Sequence, residues 1–296
     1  VGQYIVKGRG LPGRLDPEIA TLARTTPTRV VYAGKCGLNN VPPDRRARGE
    51  CFIGDSNAPS PRFVLWGDSH GSALLTHIED LAGKAGVKGY NIGRGGCPPL
   101  FGLEQESADY KRCAAAGRAM ERIIADPAIT DVVLVARWGL YAEGVPSENE
   151  AGTQSRRFVM RNDEANRAAF ARVLAATVER LRAAGKRVTL IGPTPEYTFN
   201  VPAAYIKAQM RGQRADIVMP RAAFDERQRG VTPVLARLAQ MEGVRVIYQH
   251  PALCDDKVCR ATTGGKALYV DDDHLSPAGA MLIEPALRSV FEGMRK

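Results

Sequence analysis

Arg62-Phe63-Val64-Leu65-Trp66-Gly67-Asp68-Ser69-His70 is the stretch that decides how this chain reads. Phe63 to Trp66 is an apolar run of strand length, as expected of a strand buried in a sheet. Gly67 ends the run and supplies the backbone freedom for a tight turn. From Ser72 to Ala85, residues Leu74, Leu75, Ile78, Leu81 and Ala82 recur at helical spacing, with Gly86 as the stop. A serine at such a strand–turn–helix junction sits exposed above the sheet edge. Its own N–H and the helix N-terminus face a space that favours a developing oxyanion. Standing alone, Asp68 and Ser69 read equally well as a helix N-cap.

The same unit repeats along the chain. Strands are expected at Lys88 to Ile92, Asp131 to Ala136, Arg187 to Ile191 and Val244 to Tyr248. Between and after them, helices are expected at Ala108 to Ala125, Asn162 to Ala184, Ala222 to Met241 and Pro277 to Met294. Strands alternating with helices predict an α/β domain, a mostly parallel sheet with helices on both faces. Two stretches, 139–161 and 193–221, exceed ordinary connections and fall at the carboxyl ends of strands, where open sheets bind ligands. Residues 1–61, rich in Gly, Pro and Arg, read as an irregular extension with one short strand near Arg29 to Tyr32; residues 62–296 form the main domain.

A second feature completes the first. Asp271-Asp272-Asp273-His274-Leu275-Ser276 precedes the last helix. A carboxylate three residues before a histidine can hold one imidazole nitrogen while the other faces outward, which is what a serine hydroxyl needs from its base. Taken alone, this stretch is equally an acidic helix start with a surface histidine. In a parallel sheet both loops open on the same edge, so Ser69 can meet His274 and Asp271. Asp272 and Asp273 read as helix N-terminus residues, and His70, His77 and His250 as structural histidines.

Bulk composition bounds the alternatives. The chain of 296 residues is 44% apolar and 25% charged, ordinary for a globular fold. It begins at Val1, which predicts an excised piece of a longer protein. Six cysteines form close couples, Cys36 with Cys51, Cys97 with Cys113 and Cys254 with Cys259. Fifteen connectivities are open to six cysteines; neighbour pairing closes the shortest loops. The even count favours an oxidising compartment, against six reduced cysteines in the cytosol, and no zinc spacing or other metal site is evident. Of the net charge of +9, residues 151–230 carry most, with 15 Lys and Arg against 7 Asp and Glu. That segment suits either an anionic partner or a solvated arginine-rich face. No zinc-finger, RRM or basic-helix signature points to nucleic acid.

Gly67-Asp68-Ser69-His70 resembles the first block of SGNH (GDSL-like) hydrolases, and Asp271-x-x-His274 resembles their last. Asn91-Ile92-Gly93-Arg94-Gly95-Gly96 fits their second block. The resemblance implies a flavodoxin-like fold, with Ser69 as nucleophile, His274 as base and Asp271 as its orienter. It also implies the N–H groups of Ser69 and Gly96 as oxyanion donors. The third block departs: Val135-Ala136-Arg137-Trp138-Gly139 stands where the family carries Gly-x-Asn-Asp. Arg137 is the candidate replacement donor, or else a structural partner stacked on Trp138. Trp138, Tyr141 and Tyr197 are candidate substrate contacts in the long loops, with packed lid aromatics as the alternative for Tyr141, Tyr197, Phe199 and Tyr205.

Gly96-Cys97-Pro98-Pro99-Leu100, Ala136-Arg137-Trp138, Pro193-Thr194-Pro195-Glu196 and the Gly8 to Leu15 stretch resemble one subgroup. It comprises the extracytoplasmic SGNH domains fused to membrane acyltransferase-3 proteins, which O-acetylate surface glycans such as lipopolysaccharide O-antigen. The resemblance implies an O-acetyltransferase in the periplasm, tethered to the inner membrane by an upstream acyltransferase-3 domain, with a surface glycan as acceptor. No cofactor is expected in the domain itself; acetyl groups would come through the membrane domain from cytoplasmic acetyl-CoA. A carbohydrate esterase and a catalytically silent glycan-docking domain are the other two readings.

Overall fold

The structure, a computed structural model, describes residues 17–26, 51–102, 113–146, 163–213 and 216–294. In chain order the elements of the main sheet and its cover are α1 (Pro17–Thr25), β1 (Phe52–Gly54), β2 (Pro61–Gly67), α2 (Ser69–Lys84), β3 (Lys88–Asn91), α3 (Ala114–Ile124), β4 (Asp131–Val135), α4 (Trp138–Glu143), α5 (Asp163–Ala183) and β5 (Arg187–Ile191). There follow α6 (Val201–Met210), β6 (Val218–Pro220), α7 (Arg221–Arg227), α8 (Thr232–Leu238), β7 (Val244–Ile247), α9 (His250–Leu253), the short strands β8 (Val258–Arg260), β9 (Thr262–Thr263) and β10 (Lys266–Ala267), and α10 (Pro277–Glu292).

Six strands form one sheet in the order β1-β3-β2-β4-β5-β7. All neighbours are parallel except β1, which runs antiparallel on β3 at the edge. Strand alternation divides the core. Val64, Trp66, Val132 and Leu134 face α3, α5 and α8, while Phe63, Leu65, Val133 and Val135 face α2 and α10. Both faces are thus apolar, as a parallel sheet covered on both sides requires. The connection leaving β2 runs to β3 on one side, and that leaving β4 runs to β5 on the other. The crevice between the carboxyl ends of β2 and β4 is therefore the topological switch point, where doubly wound sheets place their ligands.

The expected strand–helix alternation of the α/β domain is present, with local differences. The helix expected over Ala222 to Met241 is two helices, because Pro233 opens α8 and Gly230 packs closely. A Cβ on Gly230 would lie 2.8 Å from Arg167 and 2.9 Å from Glu143. The stretch 193–221, expected as a loop, contains α6 and β6. Asn200 caps α6 by accepting the Ala203 N–H at 2.9 Å, and Pro202 sits in its first turn. Within residues 1–61, β1 joins the sheet and α1 packs on α6. The strand expected at Arg29 to Tyr32, the Gly8 to Leu15 stretch and Cys36 lie outside the described residues.

Cys97–Cys113 and Cys254–Cys259 are disulfides, and Cys51 is disulfide-bonded. In the basic segment, Arg167 and Arg229 pair with Glu143, Arg180 with Glu121, Arg187 with Asp131, Arg221 with Asp225 and Arg227 with Glu196. Its described part is laced with ion pairs, several of them to buried carboxylates. Among the described residues, no helix is long and apolar enough to cross a membrane.

Candidate active site

The loops leaving the carboxyl ends of β2, β3, β4 and β5 converge with the segment before α10. At the end of β2, Gly67 lies opposite Val135 of β4, and a Cβ on Gly67 would meet the Val135 carbonyl oxygen at 2.5 Å. Glycine is thus required by the closeness of the two strands. Asp68 follows, buried, with each carboxylate oxygen committed. Oδ1 accepts the His70 N–H at 2.9 Å, and Oδ2 accepts the Arg137 N–H at 3.0 Å and the Tyr141 hydroxyl at 2.8 Å. Asp68 caps α2 and ties its first turn to the start of α4. Ser69 is left half-buried at the first position of α2. Gly67→Ala is expected to destabilise the fold by about 1–3 kcal/mol through overpacking, and to slow modification of Ser69 by a serine-directed reagent. A variant of wild-type stability and reactivity would show that β2 and β4 separate at no cost.

His274 reaches Ser69 from the opposite side. Its Nε2 is 2.7 Å from Ser69 Oγ. Its Nδ1 is 2.8 Å from Asp271 Oδ2 and 2.7 Å from Asp273 Oδ1. Carboxylates only accept, so Nδ1 carries a proton, and once Nε2 has lost its own it presents a lone pair to the serine hydroxyl. The His274 pKa is held well above the ordinary imidazole range: burial opposes the charge, and Asp273 and then Asp271 overcome it.

Asp273 is not spent on a helix N-terminus as its position suggested. The N-cap of α10 is Ser276, whose hydroxyl accepts the Gly279 N–H at 3.2 Å. Asp273 is 2% exposed and pairs with the Arg137 guanidinium, Nε lying 2.7 Å from Oδ2 while its N–H donates to Glu196 Oε2 at 2.9 Å, and His70 Nε2 stands 3.3 Å from the same Asp273 oxygen. His70 therefore turns inward, its ring 4.7 Å from that of His274. Arg137 is anchored in turn by Glu196 at 2.9 Å, and Glu196 also holds Arg227 at 3.1 Å. Burial raises the Glu196 carboxyl, but Arg137 and Arg227 hold it below its ordinary value.

Several expected site residues have different tasks. The Arg137 guanidinium is bound to Asp273 and Glu196, and its main-chain N–H to Asp68. Its Nε and one terminal nitrogen are thereby committed to two buried carboxylates. Trp138, Tyr141 and Tyr197 are fully buried and offer no face to a substrate. Trp138 Nε1 donates to Ile191 O at 2.7 Å, and the Tyr197 hydroxyl donates to Cys259 O at 3.1 Å. The Tyr197 N–H donates to Asp272 O at 2.8 Å and the Val201 N–H to Asp271 O at 3.0 Å, so the segment after β5 pins the loop that carries Asp271 and Asp273. Tyr205 is buried and Phe199 exposed. Gly96 lies after β3 with φ 66°, in a turn closed by the Cys97 N–H on Arg94 O at 3.0 Å. That left-handed backbone favours glycine.

The family model described as "SGNH domain (fused to AT3 domains)" matches residues 35–289. No curated protein matches the chain in sequence. Among solved structures, the periplasmic domain of a lipopolysaccharide acetyltransferase from Salmonella ser. Paratyphi A superposes with a TM-score of 0.55 at 16% identity, covering 81% of this chain and 90% of that one. A GDSL-like lipase from Bacteroides thetaiotaomicron gives 0.42 at 13% identity, covering 80% and 92%.

Proposed function

This chain belongs to the family of SGNH domains fused to AT3 domains, and from that premise we propose that it is a serine-dependent O-acetyltransferase domain acting on a sugar hydroxyl of a bacterial surface polysaccharide. The observation that carries the reading is the contact of Ser69 Oγ with His274 Nε2 at 2.7 Å, with carboxylates on the other ring nitrogen. Ser69 attacks the acetyl carbonyl carbon of the donor. The Oγ–C bond forms as the hydroxyl proton passes to Nε2, and that proton leaves with the departing group of the donor. A sugar hydroxyl then gives its proton to Nε2 while its oxygen attacks the acyl carbon. The serine ester breaks, and the proton returns to Oγ.

The main-chain N–H groups of Ser69 and Gly96 are the proposed oxyanion donors. With the Arg137 guanidinium bound to carboxylates and no asparagine in the third block, the proposed site has fewer donors than an SGNH enzyme carrying Gly-x-Asn-Asp there. A missing donor costs about 2.7–4 kcal/mol of transition-state stabilisation. The same donors serve attack by water and by a sugar hydroxyl, so transfer prevails only where the acceptor is held in place and water kept out. The disulfides fit an extracytoplasmic location. The acetyl donor is proposed to be delivered by the AT3 domain, drawing on cytoplasmic acetyl-CoA.

Incubating the protein with an activated acetyl ester, with and without surface glycan, beside Ser69→Ala, tests the reading by mass spectrometry. Acetylated glycan that disappears in Ser69→Ala is the expected result. Serine-dependent free acetate with unmodified glycan in the full-length protein replaces transfer with ester hydrolysis. No serine-dependent turnover there leaves a glycan-docking domain.

A further inference from the structure

Two carboxylates meet Nδ1 of His274: its N–H donates to Asp271 Oδ2 at 2.8 Å, and Asp273 Oδ1 stands in ion-pair contact at 2.7 Å. The two are held very differently. Asp271 is 28% exposed. Its Oδ1 accepts the main-chain N–H groups of Asp273 and His274 at 3.1 and 2.8 Å, so it also folds the loop. Asp273 is 2% exposed, and its second oxygen is fixed by Arg137 Nε at 2.7 Å, with His70 Nε2 at 3.3 Å. Behind Arg137 stand Glu196 and Arg227. The influence of a charge on a neighbour at a given distance grows as water is excluded from between and around them.

We propose that Asp273 is a second positioning residue for His274 beside Asp271, polarising the ring by its charge through a chain that runs from Arg227 by way of Glu196 and Arg137, while Asp271 takes the Nδ1 hydrogen and shapes the loop. The proposal rests on the reading of Ser69 and His274 as nucleophile and base. It leaves Asp271 in the orienter's place, as the family pattern has it, and adds a second, more deeply buried carboxylate.

The charged and titratable groups that face the pair come from every element around it. They are His70 from α2, Arg137 from the start of α4, Glu196 from the segment after β5, Asp271 from the same loop and Tyr269 from the segment before it. Thr194 adds a hydroxyl 3.5 Å from His70 Nδ1. Burial pushes the Asp273 carboxyl up, and His274 and then His70 hold it well below the ordinary range, so it remains an anion beside the ring. Of the groups raising His274, Asp273 acts most strongly by charge. Arg137 thus has a purpose that an oxyanion donor would not have: it keeps Asp273 in place without competing for the serine.

The test is the rate of Ser69 labelling by a fluorophosphonate as a function of pH. This reads the serine and its base with no donor or acceptor present. In the wild type the rate rises as His274 loses its proton, with a midpoint above the ordinary histidine value of about 6.5. In Asp273→Asn the midpoint is expected to fall by about one unit or more. The plateau rate is expected to fall about 10²-fold or more, as the ring loses its hold. In Asp271→Asn the midpoint stays raised. A wild-type midpoint retained in Asp273→Asn, or a midpoint near 6.5 in Asp271→Asn, overturns the proposal. The Asp271→Asn arm decides the matter even where Asp273→Asn does not fold. A folded wild type that takes no label at Ser69 overturns the nucleophile reading and this inference with it; a labelled wild type with an unmoved Asp273→Asn overturns the inference alone.

Discussion

Replacing His274 with alanine is expected to slow acetylation of Ser69 by a small activated ester by about 10⁴- to 10⁶-fold. At neutral pH a serine hydroxyl is a weak nucleophile and needs a base within hydrogen-bond reach. Nε2 of His274 is that base at 2.7 Å. His70 cannot take over, because its Nε2 faces Asp273 and its Nδ1 faces Thr194. The double variant Ser69→Ala, His274→Ala is expected to be no worse than either single change, since a nucleophile without its base and a base without its nucleophile are equally idle. Rapid-quench mass spectrometry of the acetylated Ser69 peptide measures the effect. A loss under ten-fold would mean that another group activates the serine.

Arg137→Ala is expected to cost about 3–5 kcal/mol of stability at pH 7, the penalty for leaving buried carboxylates without their cation. The guanidinium is 6% exposed, and both of its partners, Asp273 and Glu196, are 2% exposed. The pH dependence follows from the directions of the shifts. In the parent protein, burial opposes ionisation of both carboxyls, but cationic neighbours hold them below their ordinary values. Each therefore contributes stability that is present above its unfolded value, about 4, and is lost as pH falls through its folded value. Without Arg137 the folded value of Glu196 rises, since Arg137 is the first of the cations that hold it down, and the variant takes up a proton at a pH where the parent does not. The stability gap is thus full at pH 7 and smaller at pH 4. Arg137→Lys restores only part of it, because one ammonium cannot span two carboxylates as a planar guanidinium does. Urea unfolding at the two pH values checks this. A gap under about 1 kcal/mol at pH 7 would place the stabilisation elsewhere, since surface ion pairs have that size.

The central strands were legible because parallel strands buried on both faces are written as short apolar runs. Gly67 and the serine after it could be read for the same reason, since the run ends abruptly at a strand–helix junction. The α6 helix was not legible: Val201 to Met210 mixes polar and apolar residues without a clear stripe, although Asn200 and Pro202 gave its start. The aromatics of the long segments misled for a physical reason. A loop position does not imply exposure, and Trp138, Tyr141 and Tyr197 each bury a polar tip on a fixed partner, an arrangement that only the fold reveals. Asp273 was hidden in a run of three aspartates whose inward member cannot be chosen by spacing alone. The missed signal lay elsewhere, in His70 and Arg137: two potential cations at the ends of apolar strands need an anion, and Asp273 is that anion.

The two reacting side chains stand 205 residues apart in the sequence, and the helix behind the second of them packs against the helix that begins with the first. A growing or translocating chain therefore carries Ser69 long before it carries His274. Until α10 docks on α2, the hydroxyl is as inert as that of any surface serine. Reactivity comes only with that docking, and a cut anywhere between the two positions that lets the pieces part would remove it while leaving the serine untouched. Labelling of Ser69 is accordingly a clock for the completion of folding, one that starts only when the final helix arrives.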